Sequence, residues 1–168
     1  MSVHEFTAYL DREPDDDELD ALFEAGLDDA TPEFGGGVGM LHVAREAARL
    51  DDAIVTVVDN AETAGFRVVA VEDEDIVSLK TIAARTGRTY QSVRSLATGQ
   101  RGPGGFPIAI SGDGWSLYSW TAVADWFARH YGNNLAVDDR IRTLAAADHL
   151  LRARALVPNL EHLLAVTR

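Results

Sequence analysis

The stretch SLKTIAARTGRTYQSVRSLATGQRGPGGFPIAI, residues 78–110, decides how this chain is read, because it holds five basic side chains and no acidic one inside a strongly acidic protein. The five are Lys80, Arg85, Arg88, Arg94 and Arg101. Residues 1–77 carry 21 acidic side chains against four arginines, and residues 111–168 balance six against six, so the net charge of −12 combines segments of very different sign. Such asymmetry is a better guide to partners than the overall pI. Within the stretch, Ser78 is placed to cap a helix over Leu79–Thr86 that Gly87 closes, and Thr89 to cap a second over Tyr90–Thr98 that Gly99 closes. Two short helices joined by a tight turn must bury a common seam, which Leu79, Ile82, Ala83, Val93 and Leu96 provide. Tyr90, Gln91, Arg94 and Ser95 then face outward, a set suited to the major groove of DNA, where Gln pairs with adenine and Arg with guanine or phosphate.

Downstream, Ile108–Ile110 and Trp115–Tyr118 read as a hairpin around Gly112-Asp113-Gly114, and Thr121 as the cap of a helix carrying Val123, Trp126 and Phe127. Taken together, IAARTGRTYQSVRSLATG and GPGGFPIAISGDGWSLYSWTAVADWFARHYG resemble the MerR-type winged helix-turn-helix and its excisionase-like relatives over about residues 76–131. Ala83 and Gly87 fall at the tight-packing and turn positions and Val93-Arg94 at the hydrophobic-Arg pair; the chain is similar to actinobacterial DNA-binding proteins of this type. The resemblance implies a double-stranded DNA partner, with Lys80, Arg85, Arg88, Thr89, Tyr90, Gln91, Arg94, Ser95 and Arg101 as the DNA-binding residues. One departure stands out: where the family's wing offers a basic residue to phosphate, this chain has Trp115 and Ser116, with Arg101 in the preceding loop left to supply that contact.

Upstream, His4–Leu10 alternates apolar and polar side chains, and Asp15–Ala25 sets Leu19, Leu22 and Phe23 at helical spacing. Two extended segments follow around Gly35–Gly39, then a helix over Asp51–Ala64 with Ile54, Val57, Val58 and Ala61 on one stripe, then a strand over Phe66–Val71. The order βαββαβ predicts a ferredoxin-like domain over residues 1–75, which suits dimerisation, sensing or partner binding and fixes none of them. Glu72–Asp75 reads as an exposed acidic hinge. The fold class expected is therefore α+β, with a winged helix-turn-helix at 76–132 and a helical tail at 133–168. That tail shows two apolar patterns, Ile141, Leu144, Ala145, Leu151 and then Leu160, Leu163, Leu164, split by Pro158, which either pair two protomers or pack back on the chain.

Composition narrows the chemistry. With no Cys there is no thiolate site or disulfide, and the five His never pair at helical spacing, so neither a metal nor another cofactor is expected. Acids at 15–18 lack the alternate spacing and central glycine of a calcium loop and read as a helix cap. Gly35–Gly39 lacks the Lys-Ser/Thr pair of a phosphate loop. No nucleophile motif or convergent acid/base pair appears, so an enzyme is not expected and no catalytic residue is assigned. No apolar run approaches the roughly 18 residues of a membrane span and no secretory signal opens the chain, so a cytoplasmic protein without a membrane partner is expected. Two function classes fit: a sequence-specific DNA-binding protein, a transcriptional regulator or excisionase-like factor for which a homodimer is one possible state; or a protein-interaction adaptor whose acidic residues 1–75 bind a basic protein and whose helix-turn-helix no longer binds DNA.

Overall fold

Period-two alternation near the amino terminus becomes the centre of a sheet. A computed structural model of the chain describes residues 1–112, 114–157 and 160, as a mixed α+β protein. Strand β1 (Ser2–Leu10) sends Phe6, Ala8 and Leu10 into a core and is flanked by β3 (Val38–Ala47) and β4 (Val68–Val71). Strand β2 (Ala30–Gly35) pairs with β3, giving the order β2-β3-β1-β4, antiparallel throughout. Leu41 and Val43 of β3 join the same core, as do Ala53, Ile54, Val57 and Ala61 of helix α2 (Leu50–Thr63). Val58, expected on that stripe, packs against the core from its rim.

Helix α1 (Asp16–Leu22) starts where the acids predict. The Asp15 carboxylate accepts from the Glu18 N–H at 2.9 Å while Glu18 accepts from the Asp15 N–H at 3.0 Å, a reciprocal capping box at the positive end of the helix. The helix runs on into a π-helical turn (Phe23–Leu27) rather than ending as plain α-helix at Ala25. The Gly26 carbonyl in that turn accepts from Asn60 Nδ2 at 2.9 Å and from Arg45, whose guanidinium also makes a two-pronged contact with Asp29, both bonds 2.8 Å long. Arg45 is buried, and its bond to Asp29 holds that carboxyl below its ordinary value.

The chain divides into two compact units, Met1–Glu72 with everything from Thr143 onward, and Asp73–Arg142. The segment that the sequence sets apart from residue 133 is thus shared between them. Leu135 and Val137 pack on the second core, whereas Leu144 and Leu151 of helix α6 (Asp139–Leu156) belong to the first. Along the free edge of β4 the Val71 N–H donates to Asp148 Oδ1 at 3.1 Å, and Arg154 donates to the Val68 carbonyl at 3.2 Å. Asp148 is fully buried, its other oxygen accepting from Arg152 at 2.6 Å. Side chains of α6 thereby satisfy backbone groups that would otherwise offer a pairing edge. Of the second tail pattern, Leu163 and Leu164 lie outside the described residues, as does His162.

In the second unit, β5 (Ile76–Ser78) pairs with β6 (Leu117–Ser119), a strand partner that the sequence reading did not supply. Helices α3 (Leu79–Thr86), α4 (Tyr90–Ala97) and α5 (Trp120–Tyr131) surround a core of Val77, Ile82, Val93, Leu96, Trp126 and Phe127 among others. Ser78 and Thr89 cap α3 and α4 as predicted, accepting from the N–H groups of Thr81 and Ser92. Gly87 takes the left-handed conformation that turns the chain between them, with φ +65°. Two expectations are corrected here. The cap of α5 is Ser119, which accepts from the Ala122 N–H, and the Thr121 N–H instead donates to Asp75 Oδ1 at 2.7 Å. Asp75 is accordingly buried rather than exposed, although the two units do divide within Glu72–Asp75; its carbonyl also accepts from the Trp120 N–H at 2.6 Å.

Replacing Asp148 by Ala strands the Val71 N–H and should lower stability by about 1–3 kcal/mol in denaturant titration. A second prediction concerns acid. Because the Asp29 carboxyl is depressed when folded, its contribution is complete above its unfolded value near 3.8 and is lost as pH falls through the folded value. Asp29→Asn should therefore be less stable than the parent at neutral pH, by about 1 kcal/mol for a partly exposed charged bond, and the gap should close in acid.

Candidate nucleic-acid interface

Helical spacing decides which side chains of α4 share a face. Tyr90, Arg94, Ala97 and Thr98 recur one and two turns apart and form one wall of an open groove of about 750 Å³. Ser78, Leu79 and Lys80 at the start of α3 line the same groove, as do Gly114, Trp115, Ser116 and Tyr118. Lys80, Tyr90 and Arg94 are exposed there, and no carboxylate among the described residues lines the groove. The start of α3 lines the same space through its cap Ser78, so the groove combines two exposed cations with a helix N-terminus.

The remaining predicted residues take other places. Gln91 is exposed on α4 beside the Tyr90–Arg94 line, and Ser95 is half-buried with its carbonyl accepting from the Arg101 N–H at 3.2 Å. Thr89 spends its hydroxyl on the α4 cap. Arg85 and Arg88 lie over aromatic rings of the unit's own core, Arg85 over Trp120 at 4.9 Å, Arg88 over Phe127 at 5.2 Å and Tyr131 at 4.7 Å. Neither lines the groove, and the position of each is set by cation–π contact. Arg101 is exposed at the start of the glycine-rich loop.

That loop is held from below. Trp126 Nε1 donates to the Gly104 carbonyl at 3.0 Å, and the Phe106 ring meets Tyr118 and Trp126 edge-on, with centroids 5.7 and 5.0 Å away. Gly102 has φ +85°, and a Cβ there would sit 2.6 Å from Leu96 Cδ2 and 3.2 Å from the Tyr131 hydroxyl. Beyond it the expected hairpin is reduced to one bridge, Ser111 to Leu117, with the Ile110 N–H donating to the Leu117 carbonyl at 2.7 Å. Among the described residues, 108–110 form no strand; Asp113 in the expected turn lies outside them. Pro107 and the three glycines before it disfavour regular extension, and residues 117–119 pair with β5 instead. Ser111 completes the arch, its hydroxyl donating to the Trp115 carbonyl at 2.7 Å and accepting from the Leu117 N–H at 3.3 Å.

Sequence reasoning left Thr98, Trp115 and Ser116 out of the site. Thr98 was legible in principle, eight residues after Tyr90 on one helical face; the other two depend on how the arch closes. Among the described residues no group of three or more His, Asp or Glu could hold a metal ion, and no helix is long and apolar enough to cross a membrane. No protein-family model, curated protein or solved structure matches this chain.

Gly102→Ala should destabilise the second unit by about 1–3 kcal/mol through overpacking against Leu96 in addition to backbone strain. Gly105→Ala, whose φ is +63° but which has open space around it, should cost only the backbone part, about 1 kcal/mol. Equal losses in thermal denaturation would show that the Leu96 contact is irrelevant.

Proposed function

We propose that this chain is a sequence-specific DNA-binding protein, a transcriptional regulator or excisionase-like factor, in which α3 and α4 form the helix-turn-helix and the arch from Ser111 to Leu117 the wing. The observation that carries this reading is the groove on which Lys80, Tyr90 and Arg94 converge, free of carboxylates among the described residues, in a chain whose net charge is −12. A like-charged surface repels a polyanion, so a cationic groove is a place where a nucleic acid gains by contact. Presented in the major groove, Gln91 and Arg94 have the donor and acceptor pattern to read adenine and guanine edges. Lys80, Arg101 and the Ser116 hydroxyl take the phosphates that fix register.

The strand order β2-β3-β1-β4, with each parallel pair split by an antiparallel neighbour, supports the ferredoxin-like reading of the first unit. In our reading that unit carries pairing, sensing or partner capture, since its acidity keeps it off DNA. A second copy of the chain would double the phosphate contacts that two cations per groove leave sparse.

The test is retention of a random-sequence duplex pool by the full chain across a salt series, with sequencing of the retained fraction. An enriched motif and a linear fall of log affinity with log salt are expected. Lys80→Ala should weaken binding across all sequences and lower the salt slope by about one, whereas Arg94→Ala should also relax preference at one position, at a cost of about 1–3 kcal/mol. Absence of retention even at low salt would overturn the reading and favour the adaptor, whose acidic unit would still capture a basic protein.

A further inference from the structure

A cavity of about 190 Å³ lies in the first unit among α1, the π-helical turn that follows it, β2 and β3. Leu22, Leu27 and Leu41 line it, each 3% exposed or less, together with Phe23, Pro32 and Asp20, which are exposed. The π-helical turn creates this arrangement. Leu22 and Leu27 stand five residues apart, and both join the core because the turn between them is wider than an α-helical one; the same register leaves Phe23 62% exposed. Bonds from Asn60 and Arg45 to the Gly26 carbonyl fix the turn, so the cavity is preformed. Its surroundings are acidic. Residues 13–44 hold ten acidic side chains and neither Lys nor Arg. Asp16, Asp20 and Glu24 recur at every fourth position and are all exposed, so a row of carboxylates shares the helix face from which Asp20 lines the cavity.

We propose that this cavity is the docking site for a basic segment of a partner protein, which inserts one large apolar side chain, Leu or Phe, and sets flanking Lys or Arg against the α1 carboxylates. This rests on the partner-capture reading of the first unit and gives it a site and a chemistry. An aliphatic cavity of about 150 Å³ holds a single benzene ring, so the volume here suits one side chain and is too small for a drug-sized molecule. Phe23 and Pro32 add exposed apolar surface beside it, which a chain lying across would cover and a fragment inside would leave bare. Pro32 lacks an N–H and interrupts the outer edge of β2, so the partner does not join as a further strand. A second copy of this chain would bring its own carboxylates against these, and like charge turns it away.

The test titrates the full chain against a short labelled peptide with one Phe between Lys-Arg pairs, read by fluorescence anisotropy and by amide shifts in the protein. Binding should shift amides within residues 19–32 and at Leu41, weaken with salt, and fall about tenfold when Ser replaces the peptide's Phe. Asp20→Asn with Glu24→Gln should weaken it about tenfold and flatten the salt dependence. Ala30→Leu, which fills the cavity from β2, should abolish it, and the wild-type shift map locates the peptide even if that variant does not fold. All these variants should retain duplex DNA as wild type does, which keeps the outcome separate from that of the second unit. Equal binding of the Ser peptide, or no binding at low salt, would overturn the proposal; saturable binding of toluene, or dimers lost in Ala30→Leu, would then give the cavity to a small ligand or a second copy. Shifts confined to other parts of the first unit would overturn the cavity as the site and leave partner capture standing.

Discussion

The second unit hangs on a single buried carboxylate. Asp75 stands just before β5, and its carbonyl and side chain together take the first two free N–H groups of α5, at Trp120 and Thr121. A negative group at a helix N-terminus satisfies orphan donors and the helix dipole at once. Here it also fastens two ends of the unit that are distant in sequence. Once Asp75 holds the start of α5, Ser119 falls opposite Ile76 and Leu117 opposite Ser78. From Leu117 the arch reaches back through Ser111, and from Trp120 the core ring of aromatics begins.

Little of this could be seen in the sequence, for a physical reason. Glu72–Asp75 reads as solvated because acids are seldom buried, and only the fold reveals that one of the four meets two backbone donors in the interior. The α3 and α4 boundaries, by contrast, are legible because their determinants are local: a hydroxyl cap three residues from the N–H it accepts, and a glycine at the turn. The same division runs through the first unit. The alternation of Phe6, Ala8 and Leu10 and the stripe of α2 are written in period, whereas the buried Asp148 sits in a helical pattern that gives no hint of the strand edge it serves.

The candidate site divides along the same line. Tyr90, Gln91 and Arg94 are legible as one helical face, and Lys80 as an exposed residue of the preceding helix. Arg85 and Arg88 looked equivalent to Arg94 in the linear charge pattern, but their guanidiniums have aromatic partners on α5 that only the packing brings near. Trp115 is the converse case: the resemblance read in the sequence sets it where a basic residue is expected, and its place in the groove lining follows from an arch closed by serine.

Helix α6 has a consequence for where the chain can be cut. The first unit draws on segments from both sides of the second, which is one continuous stretch between them. Removal of everything after residue 142 would keep the residues of the second core, while the β4 edge would lose Asp148 and Arg154. The hazard of such a truncated chain would be edge-to-edge association through the bare strand.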